Sequence, residues 1–310
     1  MQRECLYLFS FFDIICLGDN MRDYLVKAYA FDGTVRLYTA VTTKLVSHAQ
    51  EIHDLWPTST AALGRLLTAS VIMGAMYKGD QELTIRVEGN GSLGGMVSTT
   101  NTYGEVRGYV NNPHVFMQYD SGKLNVGKAV GDGFIHVTKD LKVRDMFTSS
   151  SAIQTGEIAE DFAYYFTASE QIPSAVGLGV LVNDDNTVIS SGGFILQVMP
   201  GCKPETITRI ETILKNLKPM SEMVKEGLTP EQMVEAITEG DYKLLEELDL
   251  SYKCNCSREK FEKGLISLGS EKLEEIQIED KKAEIICHFC STQYLFDESD
   301  LGRLIQETKK

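Results

Sequence analysis

Positive charge is scarce in this 310-residue chain. Its 30 lysines and arginines face 44 aspartates and glutamates, which gives a formal charge of −14 and a pI near 4.9. Such a surface repels phosphate backbones and anionic lipid, and no run of Lys and Arg overrides it, so neither nucleic acid nor a membrane is an expected partner. Several catalytic signatures are missing as well. There is no G-x-x-x-x-G-K loop to cradle ATP, no G-x-S-x-G elbow and no H-E-x-x-H helix, which points away from ATP use and from an enzyme. Histidine occurs only at 48, 53, 114, 136 and 288; His48 and His53, five apart in a helical stretch, fall on different faces and form no hydrolytic constellation.

An export signal is also lacking. Leu6 to Leu17 is apolar enough to imitate a signal-peptide core, but Asp13 interrupts it, Glu4 offsets the one arginine before it, and no A-x-A site follows. The run is too short to span a bilayer. Residues 1–20 are therefore expected to be a non-functional N-terminal extension, with the functional chain starting at Met21 in the cytoplasm. Thiols stay reduced there, so the seven cysteines read as metal ligands or redox groups rather than as a disulfide framework.

The chain does have a substantial apolar fraction, 43%, enough for two or three folded units. Residues 21–200 read as an α+β core. "YLVKAYAFDGTVRLYTAVT" is a hairpin around Asp32-Gly33, followed by helices over about Thr42 to Leu55 and from Thr58 or Ser59 onward. The second is apolar nearly all round; Gly64, Arg65 and Gly74 favour a core helix over a membrane span. Gly89, Gly91 and Gly94 match G-x-G-x-x-G after a strand, but strand residues follow where a dinucleotide site needs a helix to open, so they read as turn glycines of a β-meander. A strand near Phe134 to Val137, a helix within Gly156 to Ser169 and a hairpin through Asp184-Asp185-Asn186 complete the unit.

From 201 to 250 helical periodicity takes over, with eleven acidic and six basic side chains. Ile207, Ile210, Leu214 and Leu217 form one stripe, and Met233, Val234 and Ile237 another behind a Thr229-Pro230 start. Short amphipathic helices owe most of their stability to tertiary packing, so this linker reads either as a connector docked on the core or as a metastable segment that can melt.

Four of the cysteines stand in two hooks, Cys254-x-Cys256 and Cys287-x-x-Cys290, with thirty thiol-free residues between them. Two short hooks joined by a long loop supply the tetrahedral thiolate set of a zinc ion. A strand enters the second hook and another leaves it, as in a zinc knuckle, and the spacer reads as two helices capped by Ser257 and Ser270. A unit of about 60 residues, 251–310, has little apolar mass, so metal binding would carry much of its folding free energy. Lys253, Arg258 and Lys260 would favour thiolate in the first hook. Oxidation with loss of metal could close local bridges, strained in the i, i+2 hook and easier in the i, i+3 hook.

The C-x-C, spacer, C-x-x-C arrangement resembles that of the redox-regulated 33 kDa heat-shock chaperone (33 kDa chaperonin) family. "GEVRGYV", "GEIAEDFAYYFTASEQIPSAVGLGV" and "GGFILQVMPG" look like that family's core segments, and the likeness extends from about Met21 to Glu307. The resemblance implies an α+β fold: a mixed α/β core domain for client binding and dimerisation, a helical middle linker, and a small C-terminal zinc-binding domain. It implies an ATP-independent holdase for unfolded or oxidatively damaged proteins. When reduced, such a protein holds one Zn²⁺ through Cys254, Cys256, Cys287 and Cys290 and is inactive; oxidation forms Cys254–Cys256 and Cys287–Cys290 disulfides, expels the metal, unfolds the linker and gives an active homodimer. Cys5, Cys16 and Cys202 have no counterpart in the motif. A nucleic-acid-docking zinc ribbon is disfavoured by the ten basic and twelve acidic charges of 251–310. A thiol oxidoreductase would need its C-x-x-C to open a helix. A constitutive zinc-stabilised interaction scaffold, without redox switching, uses the same four ligands.

Overall fold

The computed structural model describes residues 22–143 and 145–308; the extension expected over 1–20, with Cys5 and Cys16, lies outside them. The chain begins with a hairpin, β1 (Tyr24–Ala30) and β2 (Val35–Val41), whose four-residue turn places Phe31, Asp32 and Gly33 at φ of 51°, 56° and 78°. Two helices follow, α1 (Thr43–His53) and α2 (Pro57–Gly74). A meander of β3 (Glu82–Gly89), β4 (Met96–Asn101) and β5 (Glu105–Val110) leads through α3 (Val126–Val130) to β6 (Gly133–Asp140) and β7 (Phe147–Ala152). Then come α4 (Ala159–Ala168) and the hairpin β8 (Ser174–Val182) and β9 (Val188–Val198).

Two sheets enclose α2. One has the order β8-β9-β2-β1 with a fifth strand added below; the other contains β5-β4-β3-β6-β7. Because sheets cover it on both sides, α2 needs no polar face, and its Leu63, Leu66, Leu67, Val71 and Ile72 are fully buried. Small residues let the layers close: a Cβ on Gly74 would stand 2.5 Å from the Asn101 carbonyl, and one on Gly64 2.7 Å from Val46. Arg65, the helix's only charge, bonds the Glu157 carboxylate at 2.5 Å and its carbonyl at 3.1 Å. No helix among the described residues is long and apolar enough to cross a membrane. The glycine triplet lies in a turn, with no helix opening at Gly94. Gly91 donates its N–H to the Val130 carbonyl at 2.9 Å, and a Cβ on Gly89 would stand 2.0 Å from that oxygen, so these glycines permit close chain approach.

The other face of the five-stranded sheet is covered by α5 (Pro204–Asn216), α6 (Met220–Lys225) and α7 (Pro230–Thr238), which bury Ile210, Met220, Met223, Val224, Met233, Val234 and Ile237 against Val26, Val35, Leu37 and Leu196. Thr229 caps α7 reciprocally with Gln232. The helical expectation for 201–250 ends at Thr238. Residues Tyr242–Asp249 form β10, an edge strand antiparallel to β1. None of its side chains is fully buried; the backbone ladder with β1 holds it, joined by the ion pairs Lys27–Glu246 at 2.8 Å and Arg22–Asp249 at 2.9 Å, so its acidic run needs no strand-like apolar alternation. The chain then crosses to the six-stranded sheet as β11 (Ser251–Tyr252), parallel to β5.

The last unit contains α8 (Arg258–Ile266), α9 (Ser270–Glu279), the hairpin β12 (Lys282–Ile286) and β13 (Gln293–Asp297), and α10 (Glu298–Thr308). Ser257 caps α8 as expected, but Gly269 occupies the cap of α9 and Ser270 is its first helical residue. Six buried side chains, Leu265, Leu273, Phe296, Leu301, Leu304 and Ile305, form its separate core.

Two expectations follow. Leu66→Ala should cost about 3 kcal/mol in urea unfolding, because the sandwiched helix cannot collapse onto the void. Asp23, buried at the start of α1, accepts the N–H groups of Lys44 at 3.2 Å and Leu45 at 2.6 Å; burial outweighs these bonds and raises its pKa to about 6. Since the folded value lies above the unfolded one, its contribution is complete below about pH 4 and is lost as pH rises through 6. Wild-type stability relative to Asp23→Asn should fall across that window; a pH-independent difference would contradict the assignment.

Candidate metal centre

The four hook cysteines come from three local structures. Cys254 and Cys256 lie in the extended link between β11 and α8, where Ser257 stops the chain and starts the helix. Cys287 directly follows β12, and Cys290 closes the turn before β13, with Cys287 accepting the N–H of Cys290 at 3.3 Å and of Ser291 at 2.8 Å through its carbonyl. All four Sγ atoms lie within 4.8 Å of one another, and all four thiols are free. Two hydrogen-bonded approaches run between the hooks: Cys254 to Cys287 at 3.7 Å and Cys256 to Cys290 at 3.4 Å. A tetrahedron with metal–sulfur bonds of about 2.3 Å has edges of about 3.8 Å, so the cluster has the size and donor chemistry to hold a soft or borderline ion such as zinc. His288 is turned away and stacks near Tyr109, centroids 5.3 Å apart.

The surroundings tune the sulfurs unequally. Burial pushes the Cys254 and Cys287 thiols up. Burial acts the same way on Cys290, yet its hydrogen bonding with the Thr292 hydroxyl, 3.2 Å away, with the Thr292 backbone and with the Cys256 and Cys287 sulfurs brings it down to about 7. Tyr294 places its hydroxyl 3.1 Å from the Cys256 sulfur, and that bond, followed by burial, raises the phenol to about 12. The three cations expected to favour thiolate in the first hook are otherwise engaged. Lys253 pairs with Glu105, Arg258 bonds Asp300 at 2.6 Å and the Leu295 carbonyl at 2.7 Å, and Lys260 bonds the Asn255 carbonyl. With no cation free to offset it, burial dominates at Cys254.

The knuckle is docked on the core. Phe289 meets Tyr109 edge-on at 5.2 Å, and the Arg107 guanidinium lies 5.0 Å from the Phe289 ring. Ser291 donates to the Ile52 carbonyl at 2.8 Å. Tyr252 is the hub: its one hydroxyl proton is shared between the carbonyls of Gly108, at 2.8 Å, and of Phe289, its oxygen accepts the Gly108 N–H at 3.3 Å, and it lies 3.2 Å from His53 Nε2. The His48 ring meets Tyr252 at 5.3 Å. His48 and His53, expected on separate faces, thus converge on one tyrosine, because Tyr252 is broad enough to meet both where α1 ends. Burial lowers the His53 pKa. Sequence reasoning missed Tyr252, Tyr294, Phe289, Arg107 and α10; only α10 left a usable signal, the i, i+3, i+4 spacing of Leu301, Leu304 and Ile305.

A family model described as Hsp33 protein matches residues 23–297. A "33 kDa chaperonin" of Bacillus cereus (strain AH187) is 51% identical over 289 residues, covering 92% of this chain and 99% of that one, and one from Bacillus anthracis (strain CDC 684 / NRRL 3495) matches to the same extent. The crystal structure of the 33 kDa chaperonin of Thermotoga maritima superposes with a TM-score of 0.88 at 34% identity, covering 93% of this chain and 99% of that one.

Tyr252→Phe should speed hydrogen exchange at the Ser251–Lys253 and Phe289 amides by roughly five- to tenfold, the effect of about 1 kcal/mol, while leaving metal affinity within twofold. Unchanged exchange would remove Tyr252 from the docking role.

Proposed function

The chain belongs to the Hsp33 protein family, a chaperone family, and from that premise we propose that it is a redox-regulated, ATP-independent holdase. The observation that carries the reading is the four-thiol cluster, sized for one metal ion and built into a unit whose core, among the described residues, is six buried apolar side chains. A bound zinc ion would supply a four-thiolate cross-link between two hooks that the spacer alone does not hold together. Cys254, Cys256, Cys287 and Cys290 would be its ligands. In that reduced state the knuckle would be seated on β5 and the 201–250 segment on the core, and the chaperone would be inactive.

In this reading, oxidation joins Cys254 to Cys256 and Cys287 to Cys290; each disulfide forms as one peroxide is reduced to two waters, and the metal leaves for want of ligands. The pairing decides the outcome. Bonds between the hooks, along the 3.7 and 3.4 Å approaches, would staple the folded arrangement; bonds within each hook leave no covalent tie from 256 to 287. Only the second choice releases the unit 251–310, and with it the linker, from a core spanning about 21–200. Clients would be unfolded or oxidatively damaged proteins, the active form a homodimer, and the compartment the cytoplasm. Tyr252 supports the coupling, since one hydroxyl binds both the knuckle and β5.

Peroxide at raised temperature should release one zinc per chain, link Cys254 to Cys256 and Cys287 to Cys290 in peptide maps, and confer suppression of light scattering by a thermally unfolding client. Zinc release with unchanged client aggregation would leave a constitutive zinc-stabilised scaffold. Cys254→Ser should weaken zinc binding by at least about a hundredfold, since one of four thiolates is lost; retained affinity would overturn the ligand set.

A further inference from the structure

The two edges of the five-stranded sheet are treated differently. At one edge β10 carries Lys243, Glu246, Glu247 and Asp249, charges that blunt pairing with another chain. At the other edge β8, Ser-Ala-Val-Gly-Leu-Gly-Val-Leu-Val, runs nine residues with no charge and no proline, and its register with β9 shifts only between Leu181 and Val182. This edge is the floor of a cleft of about 1660 Å³, bounded on one side by α4 and the 116–124 loop and on the other by α6. Three exposed aromatics line it: Trp56, 45% exposed, Phe116, 53%, and Tyr119, 44%. Trp56 is the chain's one tryptophan.

Charge narrows the choice of occupant. Although the chain as a whole is strongly acidic, the cleft sets four cations, Arg65, Lys123, Lys218 and Lys225, against five carboxylates, and Arg65 pairs with Glu157 and Lys218 with Glu226, so the walls come close to neutral around an uncharged floor. Such a site neither repels an acidic chain nor selects a basic one; it favours an extended segment without charge. Gly177 and Gly179 keep the strand narrow. A Cβ on Gly179 would stand 2.4 Å from the Ser221 backbone nitrogen, so α6 presses on the face of the strand at its middle and leaves its outer edge free.

We propose that the β8 edge is a client-binding site, where an extended apolar segment of an unfolded polypeptide adds as a sixth strand and lays side chains against Trp56, Phe116 and Tyr119. Main-chain hydrogen bonds supply affinity for any sequence, and the aromatic wall selects apolar over charged segments. This rests on the holdase reading above and names the surface that it leaves open.

The test uses the full chain, treated with peroxide and heat, and reduced carboxymethylated ribonuclease A as an unfolded, tryptophan-free probe. Binding should move Trp56 emission to the blue in the wild type. Leu181→Lys places a charge on the half-exposed outer part of the strand and should weaken binding by about tenfold; Phe116→Ser, at an exposed position, should weaken it severalfold. Both should keep the wild-type thermal midpoint and zinc content before oxidation. Client binding unchanged in both variants, with no movement of Trp56 emission, overturns the site while the holdase reading stands. So does a Leu181→Lys protein that binds client normally but no longer dimerises, since β8 would then pair with a second copy. If the treated wild type neither binds the probe nor suppresses aggregation, both proposals fall.

Discussion

A helix without a polar face can rest only between two apolar surfaces, and α2 imposes that condition on everything around it. Its burial requires a sheet on each side, its small residues set how closely those sheets approach, and its one arginine requires the Glu157 carboxylate that anchors the start of α4. The five-stranded sheet is then left with a second apolar face, which α5, α6 and α7 must cover. The amphipathic helices that follow the core in sequence therefore complete a layer that the core alone would leave open.

The C-terminal unit obeys a different constraint. With six buried side chains it has little apolar cohesion of its own, and the closeness of the four sulfurs joins its beginning to its middle. Knuckle residues are aimed both ways: the cysteines inward at the cluster, His288 and Phe289 outward onto Tyr109 and Arg107. A change in the sulfur cluster is thus felt directly at β5. Hydrogen bonding divides the labour further, with Tyr294 and Thr292 on the sulfurs and Tyr252 on the core.

The sequence made legible those features whose physics is local. The Asp32-Gly33 hairpin, the buried α2 and the two cysteine hooks are each specified within a few residues, by turn chemistry, unbroken apolarity and ligand spacing. Features that depend on a partner far along the chain were not legible. β10 gains its strand conformation from the antiparallel ladder with β1, supplemented by ion pairs with Arg22 and Lys27, so its own residues alternate poorly and read as part of a helical segment. The convergence of His48 and His53 needed Tyr252, some two hundred residues away, and the carboxylate partners of Lys253 and Arg258 were likewise distant. The meeting of the two hooks is also a tertiary matter, since the spacing makes two hooks and says nothing of the cross-hook approaches.

The strap from Tyr242 to Tyr252 changes sheets within eleven residues, antiparallel on β1 and then parallel on β5, and it ends two residues before Cys254. A chain detached at its Cys254 end would meet the two-residue parallel pair first, a seam with little to shear. It would next reach the Tyr24–Asp249 end of an antiparallel ladder and open it one rung at a time, as a zipper opens, rather than breaking all rungs together. Each rung brings the opening nearer to Tyr242 and the C-terminus of α7. Any loosening on that route would be graded by distance travelled along one strand, with the three helices at the far end of the fuse.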